Sequence, residues 1–341
     1  MTKLCFDYDY LLYAAASMAE TRSIVVTHRD SGDQWEFPTR TDFWGHWKAK
    51  AGGWLAEWNS SRPEDKRRKA EDFDVVDKQE PEPVENAIHT LKQMILAVKE
   101  EVGASSHYGY TGRGKSFREN VSTIIKYKGN RDDSLRPVLL DDLRNYLVRY
   151  QAAETITGIE ADDAVSVDSY EGWKKWKKTG SDKDKLIVAC VDKDYKQCPG
   201  HLKYPEQPLC SYGEGLGYLE PKEKGYTGRG RMWLYFQVLA GDSADNYCAN
   251  SASSLKWGEA SAYKALSGCK TDKEALQALV DSYKLLYPSH KKIIGWKGQE
   301  IEIDAMYVLQ ENFTLARMLR ARDERPVVLK DVLDSLKVEY V

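Results

Sequence analysis

The chain has 341 residues, 42% hydrophobic and 30% charged, with Gly 24 and Pro 11 spread along it. That balance excludes disorder, collagen and coiled coil as whole-chain descriptions and allows a sizeable core with a smaller second unit. The 50 basic and 53 acidic side chains nearly cancel to a net charge of -3, so partners are read from where charge falls, not from its sum.

The opening TKLCFDYDYLLY predicts a short strand ending in Asp7 and Asp9, followed by a helix through AAASMAE, a start typical of α/β proteins. Residues 29–86 read as a partly helical insertion. It holds Trp35, Trp44, Trp47, Trp54 and Trp58, a KRRK cluster at Lys66–Lys69, and an acidic run, Glu71–Glu85, expected to be a solvated linker or loop. From Asn86 to Val102 the apolar positions Ile88, Leu91, Ile95 and Val98 predict an amphipathic helix. The hexapeptide GYTGRG occurs at Gly109–Gly114 and again at Gly225–Gly230, which reads either as two glycine-rich turns or as backbone approaching a phosphate.

Between Arg113 and Arg136 lie seven bases (Arg113, Lys115, Arg118, Lys126, Lys128, Arg131, Arg136) against Glu119, Asp132 and Asp133, a stretch able to face an anion. WKKWKK, Trp173–Lys178, reads as an exposed helix end with its tryptophans inward. DKLIVACVDKDY, Asp184–Tyr195, predicts a buried parallel strand carrying Asp192 and Asp194 on one face. From Arg231 a helix, the loop NSASSLKWG and a second helix form a helix-hairpin-helix unit, with a further helix at roughly 304–320.

No apolar run reaches the ~18 residues of a spanning helix, and an acidic FDYDY stands where a signal peptide is apolar, so a cytoplasmic location is expected. Cys5, Cys190, Cys198, Cys210, Cys248 and Cys269 lack CxxC spacing and are expected to be free thiols; Cys198, His201 and Cys210 make only an incomplete zinc set.

Four acidic groups stand at element ends: Asp7 with Asp9, Glu160 with Asp162 and Asp163, Asp192 with Asp194, and Asp242 with Asp245. Gathered carboxylates repel one another and lose solvation, so a fold that collects them needs a cation. Glu160 and Asp163 are expected on one helix face, Asp192 and Asp194 on one strand face, and Asp242 and Asp245 at a helical step. Hard divalent ions take oxygen ligands, and two of them about 4 Å apart clamp an in-line phosphoryl displacement.

These residues resemble the metal-dependent 5′-nucleases, a family that includes flap endonucleases, the 5′-nuclease domain of bacterial DNA polymerases and phage 5′→3′ exonucleases. CFDYDYLLY, FREN…YKGNRDD, GIEADDAVS, CVDKDYKQ and GDSADNY occur in the family's order and span Asp7 to about Leu266. The resemblance implies a PIN-like α/β sheet in residues 1–230, with the insertion at about 29–86 and a basic helical region at about 107–150. Residues 231–341 would then be a helix-hairpin-helix DNA-binding region with C-terminal helices.

It further implies two magnesium ions, replaceable by manganese, and 5′→3′ hydrolysis of double-stranded DNA from a free 5′ end or flap, in phage replication or recombination. Asp7, Glu160 and Asp162 would surround the first ion, with Asp163 adjacent, and Asp192, Asp194, Asp242 and Asp245 the second. Lys128 and Arg131 would hold the scissile phosphate. Arg113, Lys115, Arg118, Lys126 and Lys256 would join them in contacting DNA. The sequence departs from the family at Tyr110 and Thr111, where an aspartate is usual, and in the hairpin, where only Gly258 remains of a Gly-x-Gly turn that can bind potassium.

Two other readings share these residues. A haloacid-dehalogenase-type phosphatase would use Asp7 as nucleophile and Asp9 as general acid, and would need Asp242 to follow a strand. A non-catalytic DNA-binding protein on the same fold would use only the basic stretch and the hairpin.

Overall fold

The computed structural model describes residues 2–46, 52–132, 134–324 and 326–340; Trp47 and Asp133 lie outside them. No helix among the described residues is long and apolar enough to cross a membrane. The chain forms two compact units, one of Met1–Tyr10, Met94–Leu135 and Leu147–Val341, the other of Leu11–Gln93 and Arg136–Tyr146.

The first unit is built on a six-stranded sheet in the order Ala153–Gly158, Ser106–Ser116, Lys3–Asp7, Leu186–Ala189, Gly200–Lys203, Cys210–Tyr212. The first five strands run parallel and the last antiparallel, so the expected mixed α/β sheet is present. Leu4, Cys5 and Phe6, and Ile187 and Val188, are buried, as strands covered on both faces require. Helix Ala161–Thr179 packs Val165 and Tyr170 against Cys5, Val188 and Leu202.

From Lys3–Asp7 the chain builds outward on one side, then returns at Leu186–Ala189 on the other. Strand order therefore reverses between these two strands, and in open parallel sheets ligands bind at the carboxyl ends beside such a reversal. Asp7 ends the first strand, and Asp192 follows the second by three residues.

A helical layer of Gly230–Ala240, Glu259–Leu266, Asp272–Leu286, Ala305–Ala316 and Leu329–Ser335 closes on Leu234, Val238, Leu279, Tyr283 and Val308. Residues 231–341 belong to the same compact unit as the sheet. The helix expected at roughly 304–320 begins where Asp304 accepts the Tyr307 N–H at 2.7 Å and ends at Ala316. Trp173 and Trp176 pack inward on the His201 ring, at 5.5 and 4.6 Å between centroids. His201 Nδ1 is 2.7 Å from Ser211 Oγ, and the Cys198 thiol lies on Ser166, so both residues have polar partners other than a metal.

Both GYTGRG copies form strand rather than turn. The first lies in Ser106–Ser116 and the second in Tyr226–Arg229, running into helix Gly230–Ala240. Arg229 is buried, its guanidinium 3.7 Å from the Tyr212 ring centroid, which removes the second copy from any phosphate.

The second unit is a three-stranded antiparallel sheet, Gln34–Phe37, Glu20–His28 and Phe73–Pro81, with short helices at Arg40–Trp44 and Trp54–Ser60 and the start of the longer Val84–Glu101, as far as Gln93. The acidic run is thus a strand over most of its length, paired with Glu20–His28 along nine positions, and not a linker. Phe73 and Val75 turn into a core with Ile24, Val26, Phe43, Trp35 and Trp54. The acids between them stay at the surface, where Arg29 meets Asp74 at 2.7 Å and Arg40 meets Asp77. Apolar burial on one face outweighs the charge on the other.

Candidate metal centre

Two groups of three carboxylates form at the carboxyl edge of the sheet: Glu160, Asp162 and Asp163, and Asp194, Asp242 and Asp245. Within each, one oxygen from every residue lies within 4.8 Å of the others. Asp7 and Asp192 belong to neither group.

The first group is set by a helix start. Glu160 is the N-cap of Ala161–Thr179, and the Asp163 carboxylate reaches back to its N–H at 3.3 Å, a capping box instead of a shared helix face. Asp163 is fully buried and bound through both oxygens by Arg118, one contact at 2.9 Å, and it accepts the Leu319 N–H at 3.2 Å. Asp163 is thus committed to holding the fold together.

Arg118 is 2% exposed and also donates to the carbonyls of Leu315 and Arg317, so it is sealed from DNA, contrary to expectation. Asp162 differs: its Oδ1 is sealed from solvent with no hydrogen-bond partner among the described residues. Burial, then the charges of Glu160 and Asp163, hold its carboxyl well above the usual range.

The second group comes from two turns. The strand expected over Asp184–Tyr195 stops at Ala189, and Asp192 caps the 3₁₀ turn Lys193–Gln197, its carboxylate accepting the Asp194 N–H at 2.9 Å. Asp192 and Asp194 therefore share a turn, not a strand face. Asp242 and Asp245 lie past the end of helix Gly230–Ala240 in a loop closed by an Asp242–Tyr247 bridge, with no helical step between them. Burial, then Asp192 and Asp245, raises the Asp194 carboxyl well above the usual range. Asp245 is raised chiefly by burial, with Lys128 opposing.

Tyr127 and Lys128 join the groups. The Tyr127 hydroxyl lies 2.9 Å from Glu160 Oε2 and 2.8 Å from Asp245 Oδ2, so its one proton serves one carboxylate at a time. Lys128 Nζ contacts Glu160 and is 3.7 Å from Asp245 Oδ1. Burial alone would lower the Lys128 pKa, but Glu160, Asp245 and Asp162 outweigh it and hold the ammonium charged. Arg131 donates to Asp245 Oδ1 at 3.0 Å, and Lys193 Nζ is 2.9 Å from Asp242 Oδ2. The two loops are also knitted by Asn130 Nδ2 to Ser243 O at 2.7 Å and Asn246 Nδ2 to Lys126 O at 2.9 Å.

Asp7 accepts the Asp9 N–H at 3.0 Å and the Tyr195 hydroxyl at 3.3 Å. Burial, then Asp9 and Asp192, pushes its carboxyl up to about 7. Asp9 faces the Thr111–Gly112 stretch, accepting the Thr111 hydroxyl at 2.7 Å and the Gly112 N–H at 3.0 Å. Tyr110 turns away to donate to Asp168 at 2.7 Å.

Of the remaining basic residues, Arg113, Lys115 and Lys256 are exposed and Lys126 is partly buried beside Asp132. Tyr127, Tyr195 and Lys193 were missed from sequence, although each adjoins a charged residue already singled out, in YKGNR or VDKDY.

The donor set is all carboxylate oxygen, which suits a hard divalent ion. Two features fit such an ion: the partnerless buried oxygen of Asp162 and the raised carboxyls around it. With Asp9, whose charge also raises Asp7, eight carboxylates (Asp7, Asp9, Glu160, Asp162, Asp192, Asp194, Asp242, Asp245) meet three cations (Lys128, Arg131, Lys193) once the Asp163–Arg118 pair is set aside, an excess of acid that divalent ions would offset.

No protein-family model matches the chain, and no curated protein matches it in sequence. Among solved structures it is similar to a bacteriophage T5 protein co-crystallised with metal ions, at 12% identity and a TM-score of 0.43, over 98% of this chain and 97% of that one. A mutant T5 5′-exonuclease aligns at 13% identity and a TM-score of 0.38, over 67% of this chain and 80% of that one. A bacteriophage T5 flap endonuclease in a pseudo-enzyme–product complex with DNA and metal ions aligns at 14% identity and 0.39, again over 67% and 80%. Likeness at this level leaves the functional reading to the site's own geometry.

Proposed function

We propose that the protein is a divalent-metal-dependent 5′→3′ exonuclease of double-stranded DNA, using magnesium or manganese, with removal of 5′ flaps or RNA primers as a companion activity. The observation that carries this reading is the pair of carboxylate groups joined through Tyr127 and Lys128 at the carboxyl edge of a parallel sheet. Glu160 and Asp162 would hold one ion, and Asp194, Asp242 and Asp245 the other, with Asp7 and Asp192 completing the water shell. Ions held there would supply Lewis-acid chemistry at the phosphate and the attacking water.

The chain's own groups do the rest. Lys128 and Arg131, already turned toward Glu160 and Asp245, bind the scissile phosphate and stabilise charge developing on its oxygens. Tyr127, with its pKa raised well above normal by burial and Glu160, stays protonated and orients the carboxylates on either side. Asp163 and Arg118 fix the start of the acidic helix.

The phosphatase reading loses support because Asp242 follows a helix and Asp9 is already engaged by Thr111 and Gly112. The test is a product ladder on duplexes labelled at either end, with and without a 5′ flap, in magnesium or in chelator. Stepwise release from the 5′ end in magnesium alone is expected. Binding without cleavage in any divalent ion would leave the non-catalytic reading in its place.

A further inference from the structure

The loop Ser122–Arg131, which carries Tyr127, Lys128 and Arg131, is braced by a hairpin of strands Lys291–Ile294 and Glu300–Ile303. At its tip the Trp296 N–H donates to Thr123 O at 3.2 Å, and the indole Nε1–H donates to Ser122 O at 2.8 Å. A Cβ at Gly295 would collide with the Thr123 carbonyl, so seating this close requires glycine. Tyr307, with its hydroxyl 2.9 Å from Thr123 Oγ1, holds the same loop from helix Ala305–Ala316.

Pinned by its N–H edge, Trp296 is still 37% exposed as a residue. Lys297 Nζ lies 4.9 Å and Lys126 Nζ 5.7 Å from its ring centroid. Lys126 is two residues from Lys128 and shares its charge with Asp132, while Lys297 makes no ion pair among the described residues. Both ammonium groups lie over the ring on flexible stems and can swing from it to phosphates, so the fixed indole can take a flat base flanked by phosphates, the combination that binds single strands without regard to sequence. Bases inside a duplex are covered by their neighbours, so the base that fits is an unpaired one.

We propose that Trp296 stacks an unpaired base of the nucleic-acid strand entering the metal centre, with Lys297 and Lys126 on the phosphates either side of it. The platform deepens the nuclease reading and rests on it for the identity of the occupant. It makes Trp296 a positioning residue that favours tailed over blunt ends.

The test is fluorescence anisotropy in calcium, with a blunt duplex and one carrying a single-stranded 5′ tail, and with the fold of each variant checked by thermal melting. Trp296→Ala is expected to weaken tailed binding by about tenfold, the scale of one lost base stack, and to change blunt binding by less than about twofold. Trp296→Phe keeps the ring but loses the bond to Ser122, and is expected to stay within about threefold of wild type. Lys297→Ala is expected to flatten the dependence of log affinity on log salt by about one phosphate contact.

Equal losses for Trp296→Ala and Trp296→Phe, or equal losses on blunt and tailed DNA, would reduce Trp296 to a brace for the loop. Wild type that cleaves DNA while Trp296→Ala binds the tail normally would remove the platform and leave the nuclease reading standing. Wild type that neither binds nor cleaves either DNA would remove the nuclease reading itself.

Discussion

The strand Phe73–Pro81 and the carboxyl edge of the central sheet are both dense in acid, yet their electrostatics are opposite. In the strand, Asp77 is held below the usual carboxylate range by its bond to Arg40, and at the far edge of the same sheet, on Gln34–Phe37, Ser23 and Lys78 do the same for Glu36. At the sheet edge, burial holds Asp7, Asp162, Asp194 and Asp245 above it. Counting acids does not find a metal centre. Acids withdrawn from water without enough cations to match them do, because the fold tolerates that cost only where something else repays it.

The largest expected effect separates the two regions by sign. Asp162→Asn or Asp194→Asn is expected to lower cleavage in magnesium by on the order of 10³ or more with DNA binding largely kept. In chelator the same substitutions are expected to raise stability by about 1–3 kcal/mol, because each removes a buried acid that costs free energy whether it stays ionised or takes up a proton. Calorimetry with and without magnesium reads both halves. Lower stability in chelator would mean that these carboxylates are satisfied by the protein alone.

The order of motifs along the chain made the central sheet and most of this site legible, because acids at strand and helix ends survive as local patterns. What escaped depended on contacts across the fold. The resemblance sets Asp163 beside the first ion, but only the structure brings Arg118 against it from 45 residues away. Tyr127 gave no signal beyond its place in YKGNR, since its role comes from lying between Glu160 and a carboxylate 118 residues distant. The acidic strand was misread because Phe73 and Val75 bury into a tryptophan-rich core whose shape composition does not reveal.

Acidity offers a second way to sharpen the contrast. Burial pushes the Asp7 carboxyl up to about 7 in the folded chain, from an ordinary aspartate value of about 4. Between these values the folded state holds the extra proton, so stability falls as pH rises through the window, by up to about 1.4 kcal/mol per pH unit. Melting in chelator from pH 4.5 to 8 is expected to show that decline, Asp7→Asn to flatten it, and magnesium to oppose it by binding the ionised form. A metal-free protein that gains stability from pH 5 to 7 would contradict the raised value.

Lys128→Ala is expected to lower the cleavage rate about 10- to 100-fold and to change KM by less than about threefold, because its charge is used where phosphate charge develops. Single-turnover kinetics separate the two. A KM effect with an unchanged rate would make Lys128 a simple phosphate contact.

The smallest effect belongs to the strand. Asp77→Asn removes an ion pair whose two side chains are 53% and 34% exposed, so a cost of no more than about 0.5 kcal/mol is expected, with cleavage unchanged within about twofold. The low pKa of Asp77 makes this contribution present at neutral pH and lost as pH falls below the ordinary carboxylate range, the reverse of Asp7. It should also fade toward 1 M salt, where screening reaches ~3 Å. A cost above about 2 kcal/mol that persisted in salt would show the strand's acids to be as firmly committed as those at the sheet edge, and exposure would then fail to tell a solvated acidic face from a metal centre.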